Sequence, residues 1–149
     1  MAKKKTTFLW VLLAVLGIWF LFGFINLITS LVSIFTNFSA LTLIGTLLGV
    51  IGLTLMGILI KKLFNVTKDC QKWVHIFFGF SVFDSIVSVF LSYPFLKAAM
   101  TLAGAGMNRF VLIGFAVSFL VGLAFTILMW VGITMHLKRA KKQKLMVFS

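Results

Sequence analysis

The chain has a single cysteine, a single proline, a single tyrosine and only two acidic residues among its 149. With Cys70 alone, no disulfide can form within the chain, and thiol oxidoreductase chemistry through paired cysteines of one chain is excluded. There is no glutamate, and Asp84 is the only acid inside any long apolar stretch. No glycine-rich phosphate loop, metal-hydrolase helix or nucleophile elbow occurs. Cys70, His75 and His136 could approach one another at one membrane face, but a zinc site needs more ligands at firmer spacing. Neither enzymatic chemistry, a metal nor another cofactor is expected.

What remains is overwhelmingly apolar. Hydrophobic residues make up 62% of the chain and charged residues 11%, with a mean hydropathy of +1.18. A soluble domain of this length cannot cover so much apolar surface, because folded surfaces in water need polar groups. A bilayer removes that demand. Phe8 to Phe35 is about twice the ~7–15 apolar residues of a cleaved signal and has no small-residue cleavage site, so it reads as a retained first helix. Asn37-Phe38-Ser39 and Asn65-Val66-Thr67 match the glycosylation sequon near helix ends and are read as chance matches.

A helix needs ~20 apolar residues to cross ~30 Å of hydrocarbon. Four stretches qualify, at 8–35, 41–60, 73–93 and 110–137. The expected fold is an all-α, integral membrane four-helix bundle. It forms one domain over 1–149, built as two antiparallel hairpins with a basic tail over 138–149.

The net charge is +12, and twelve of the fourteen Lys and Arg residues lie in three places. These are Lys3, Lys4 and Lys5; Lys61, Lys62, Lys68 and Lys72; and Lys138, Arg139, Lys141, Lys142 and Lys144. Only Lys97 and Arg109 fall on the other side. The positive-inside rule then puts both termini in the cytoplasm. Charge that marks helix ends suits anionic lipid headgroups at the cytoplasmic face rather than nucleic acid. The tail Lys138, Arg139, Lys141, Lys142 and Lys144 is the expected headgroup contact. Trp10 and Trp73 mark the inner boundary and Tyr93 the outer; the last two are 20 residues apart, about 30 Å along a helix. Cys70 falls in the inner loop, where it offers itself as a native thiol probe. Pro94 is expected to end or kink the third helix. A short interfacial helix over 96–102 and a flexible joint at Gly104-Ala105-Gly106 would follow, as an outer loop or as a lid.

Asn26, Thr29, Ser30, Ser33 and Asn37 recur 55 residues later as Ser81, Asp84, Ser85, Ser88 and Ser92. Each set occupies an arc of about 100°, one face of a helix. The recurrence is consistent with a duplicated hairpin in parallel repeat or with ordinary polar membrane helices. Unpaired polar groups are costly in hydrocarbon, so the stripes are expected to face one another and satisfy one another's hydrogen bonds. Gly45-xxx-Gly49 and Gly114-xxx-Ser118-xxx-Gly122 are expected helix-packing faces, within the chain or toward a homo-oligomer or another membrane protein.

Asp84 is the sharpest candidate. It lies 11 residues from Trp73 and 9 from Tyr93, near the middle of its span, with no cation at its depth. An intramembrane carboxyl is by default a functional-site candidate. It could be a neutral acid bonded to Asn26, Thr29 or Ser30 as interhelical glue, or a proton- or cation-coupling group together with Ser33, Ser81, Ser85 and Ser88. His75 sits nine residues away, about 13.5 Å by helical rise and on the opposite face, so the two cannot form a catalytic pair.

Trp130 is followed by Leu137 and then Lys138-Arg139-Ala140-Lys141. This resembles a family of small bacterial four-helix inner-membrane proteins of unknown function, whose last helix closes with Trp, six residues, Ser and Lys-Arg-Val-Lys. The basic loop after the second helix is also similar. The likeness covers most of the chain in layout but few residues in motif. The family's Gly-Gly-Trp opening is missing, and Leu137 stands in place of the Ser. The resemblance implies a bacterial inner-membrane protein and no activity. The expected function is a non-enzymatic binding or accessory subunit, with a small proton- or cation-coupled transporter or channel component as the alternative.

Overall fold

The computed structural model describes residues 7–36, 38–103 and 108–142. Lys3, Lys4, Lys5, Asn37, Gly104-Ala105-Gly106 and Lys144 lie outside the described residues. Four helices account for nearly everything described: α1 (Thr7–Thr36), α2 (Ala40–Phe64), α3 (Cys70–Ala103) and α4 (Asn108–Lys142). All four are long and apolar enough to cross a membrane. The shortest, α2 with 25 residues, is about 37 Å long, more than the ~30 Å of hydrocarbon.

The helices start and stop for local reasons. Ser39 sits in extended conformation ahead of α2, and its hydroxyl accepts from the Thr42 amide at 3.0 Å, satisfying one of the first turn's orphan donors. At the far end of α2 the amide of Val66 donates to the Leu63 carbonyl and that of Thr67 to the Lys62 carbonyl, both at 3.2 Å. This is the paired closure of a Schellman motif, which wants a left-handed residue and usually takes glycine. Here Val66 supplies it at φ 50°, a strained choice for a β-branched residue. The side chain is fully buried, and burying it offsets the strain.

Pro94 does not end α3. The helix runs through it to Ala103, so residues 96–102 are its last turns and not a separate interfacial helix. Proline removes one amide donor, from the bond that the Phe90 carbonyl would otherwise accept. Membrane helices tolerate that loss where local adjustment, water or side chains re-satisfy the freed group.

The buried core lies entirely at one end of the molecule. It joins Leu9, Leu12, Leu13 and Leu16 of α1 to Leu59 and Leu63 of α2. Val74, Phe77 and Phe78 of α3 and Ile133, Leu137 and Ala140 of α4 complete it, with Val66 and Cys70 from the α2–α3 turn. We call this the packed end. Backbones of α1 and α2, α2 and α3, and α3 and α4 approach within 8 Å, and no other pair does among the described residues. Helices α1 and α4 are bridged by rings instead: Phe8 against His136 at 4.2 Å and Trp19 against Phe125 at 5.8 Å between centroids. Both bridges fall in the half of α1 nearer the packed end.

The tightest glycine contact lies outside the two expected packing faces. The close approach is at Gly23, where a Cβ would stand 2.8 Å from Leu53 Cδ2 across the α1–α2 contact. Gly45 and Gly49 leave ordinary contact distances of 3.9 and 3.8 Å to Leu91 and Leu27, and Gly114 and Gly122 face open space. The α4 stripe Gly114-Ser118-Gly122 is exposed in this chain, and a Cβ on either glycine would meet nothing within 4 Å.

Two outcomes follow. Gly23→Ile overpacks the α1–α2 seam and destabilises the chain by about 1–3 kcal/mol in detergent melts, whereas Gly114→Ile leaves the monomer's melting unchanged. Cys70 is 1% exposed, so it is no usable topology probe. In the folded protein it should react with a maleimide more slowly than Lys68→Cys in a Cys70→Ala background, by at least about tenfold in labelling kinetics.

Candidate functional site

Away from the packed end, α1, α2 and α3 enclose a cleft in two lobes, each of about 340 Å³. The lobes share Ser30, Gly45 and Thr46. The inner lobe begins above the apolar core, at Trp19, Met56 and Phe77, and rises to Asn26, Ser81 and Asp84. The outer lobe continues past Thr29, Ser33, Thr42 and Ser88 to Leu41, Ser92 and Phe95. Helix α2 forms the back wall, because it alone packs against both α1 and α3.

The structure therefore brings the two polar stripes to one cleft but does not pair them. Thr29 and Ser33 donate to the carbonyls of Asn26 and Thr29 at 2.8 and 3.0 Å. Ser81 and Ser85 donate to those of Phe77 and Ser81 at 3.0 and 2.8 Å. On α2, the buried Thr46 hydroxyl donates to the Thr42 carbonyl at 2.8 Å. Each hydroxyl is satisfied within its own helix, a bond available at every i−3 or i−4 carbonyl without any neighbour. The expected network of hydrogen bonds between helices is absent among the described residues.

Asp84 has no hydrogen-bonding or ionic partner among the described residues, and neither do the side chains of Asn26, Ser30, Ser88 and Ser92. The interhelical glue expected of Asp84 with Asn26, Thr29 or Ser30 is not formed. These five polar side chains stand open toward the two lobes, where water or a polar solute can reach them. Ser85, Ser88 and Ser92 also line a smaller groove of about 270 Å³ against Phe115, Ser118 and Phe119 of α4.

The potential metal ligands are separated. Cys70 is in the core, His75 turns toward α4, and His136 stacks on Phe8. Among the described residues no group of three or more His, Cys, Asp or Glu gathers. The indole Nε1 of Trp130 donates to His75 Nδ1 at 2.8 Å, tying α3 to α4 beside the core. At the packed end Lys61, Lys68, Lys72, Lys138, Arg139 and Lys141 are all exposed, and α4 continues to Lys142.

Sequence reasoning passed over one polar constellation. Asp69 in the α2–α3 turn accepts from Lys62 Nζ at 2.7 Å and from Trp73 Nε1 at 3.2 Å. The i, i+4 spacing of Asp69 and Trp73 was the available signal. Thr42, Gly45, Thr46 and Gly49 likewise mark one face of α2 at helical spacing, a cavity wall that reads from sequence only as a packing face.

No family model matches the chain, and no curated protein or solved structure does so either.

The Lys62 hydrogen bond, with a smaller contribution from Thr67, holds the Asp69 carboxyl at about 2. A lowered carboxylate value adds stability above the ordinary 3.8 that is lost as the pH falls through about 2. The wild type should thus melt higher than Asp69→Asn above about pH 4, and the difference should vanish by about pH 2 in detergent melts followed by circular dichroism.

Proposed function

We propose that this chain is a non-enzymatic, multi-pass protein of a bacterial inner membrane that works as a small proton- or cation-coupled transporter or channel component, with Asp84 as its coupling group. One observation carries the reading. A carboxyl without a partner opens into a cavity between three membrane-length helices, flanked by the polar stripes of α1 and α3. A carboxylate there attracts a cation or exchanges a proton with the cavity water, because no side chain among the described residues bonds it. The apolar core seals the cleft on the side of the basic clusters. By the positive-inside rule that side is cytoplasmic, with the N- and C-termini, so the cleft opens outward. Lys138, Arg139 and Lys141 then lie against anionic headgroups, where each contributes about 1 kcal/mol.

The second reading, a binding or accessory subunit, is favoured by the α4 face. Gly114 and Gly122 face open space there and Ser118 is exposed, as a homo-oligomer or membrane-protein interface requires.

Proteoliposomes separate the two. Under the coupling reading, proton or alkali-cation flux is abolished by Asp84→Asn while the melting temperature stays near that of the wild type. Flux that is absent from the wild type, or unchanged in the variant, would leave the accessory reading. Orientation is checked by labelling Lys68→Cys in the Cys70→Ala background with an impermeant maleimide. Intact cells should protect it and inverted vesicles expose it; labelling in intact cells would reverse the topology.

A further inference from the structure

Resting on the coupling reading, we infer that the inner lobe of the cleft recognises an organic cation, a substituted ammonium carrying an apolar or aromatic group, rather than a bare metal ion. The lining decides this. Hard cations want about six oxygen ligands in a tight shell. The lobe is about 340 Å³, has one carboxyl, and is walled largely by carbon, including Trp19, Met56, Phe77 and Phe80. Phe77, Phe80 and Asp84 follow one another up one face of α3 at spacings of three and four, so above the buried Phe77 the ring of Phe80 leads to the charge. On α1, Trp19 and Asn26 line the same lobe, with Gly23 between them packed close to Leu53 of α2.

A carboxylate above aromatic faces is the chemistry that holds alkylated ammonium groups, since the ring quadrupole attracts a weakly hydrated cation and the acid neutralises it. Trp19 meets Phe125 edge-on at 66° and Phe80 is tilted at 47° to Phe83, and both rings are only partly buried. Access fits the same class of solute. Beyond Trp19 toward the open end no ring bridge joins α1 to α4 among the described residues, and no backbone of α1 comes within 8 Å of α3 or α4. Beyond Trp19 the backbone of α1 thus approaches that of α2 alone within 8 Å, and on this side an amphiphilic cation can enter from the bilayer.

The test is equilibrium binding of benzyltrimethylammonium to the full chain in neutral-lipid nanodiscs. Competition by its uncharged isostere neopentylbenzene and by sodium and potassium completes it. The wild type should bind one cation per chain saturably, the isostere should not displace it, and Asp84→Asn should weaken binding at least about tenfold. Trp19→Leu and Phe80→Leu should each weaken it about three- to tenfold, with helicity checked by circular dichroism so that a misfolded variant is set aside for the other. Equal displacement by the isostere, wild-type affinity in Asp84→Asn, or wild-type affinity in both folded ring variants would overturn the assignment. The two readings fail separately. Asp84-dependent proton or alkali flux without binding of the organic cation retires the substrate class and leaves the coupling role standing. Loss of both retires both.

Discussion

The structure depends on one apolar core placed at one end. Leu16, Leu59, Val74, Phe78 and Ile133, all nearly or wholly buried, pull four helices together beside the basic clusters. Helices in hydrocarbon gain little from burying apolar surface against one another, since lipid tails are as apolar as leucine. Shape and small residues must hold them. Gly23 against Leu53 and the turn at Val66 supply that fit for the first three helices, and the Trp130–His75 hydrogen bond supplies it for α4.

Everything beyond the core follows from its being one-sided. With the packed end fixed, the remaining lengths of α1 and α3 stand apart on either side of α2 and leave a cleft. Thr29, Ser33, Ser81 and Ser85 bond back to their own helices, so the walls are polar without being cross-linked. A cleft of that kind can fill, empty and change width without breaking protein hydrogen bonds. Asp84 is the one ionisable group among the side chains that the cleft leaves without a partner among the described residues.

The turn between α2 and α3 shows how the same residue types behave outside the apolar stretches. Asp69 lies beside Lys62 and Trp73, and the hydrogen bond from Lys62 holds its carboxyl low. Both acids of the chain are thus placed oppositely, one locked by a cation at the packed end and one free in the cleft. The separation matters for the coupling reading, because a lysine reaching Asp84 would fix its charge and remove its response.

Four apolar stretches, their helical state and the charge clusters between them were legible in the sequence, because hydropathy over twenty residues and helical periodicity are local properties. So were the polar faces of α1 and α3, down to Asn26, Ser30, Ser81 and Asp84. The reach of α3 past Pro94 was not, since proline is tolerated or fatal according to what re-satisfies one carbonyl. Nor was the burial of Cys70, which depends on a turn folded under the core by a left-handed valine. The sequence by itself determined which residues are polar and on which helical face they stand. Only the tertiary structure decided that both faces open into one cavity and that Asp84 is left unpaired. Partners across a gap are set by how far apart helices pack, and in this chain that distance is set by a core some turns away.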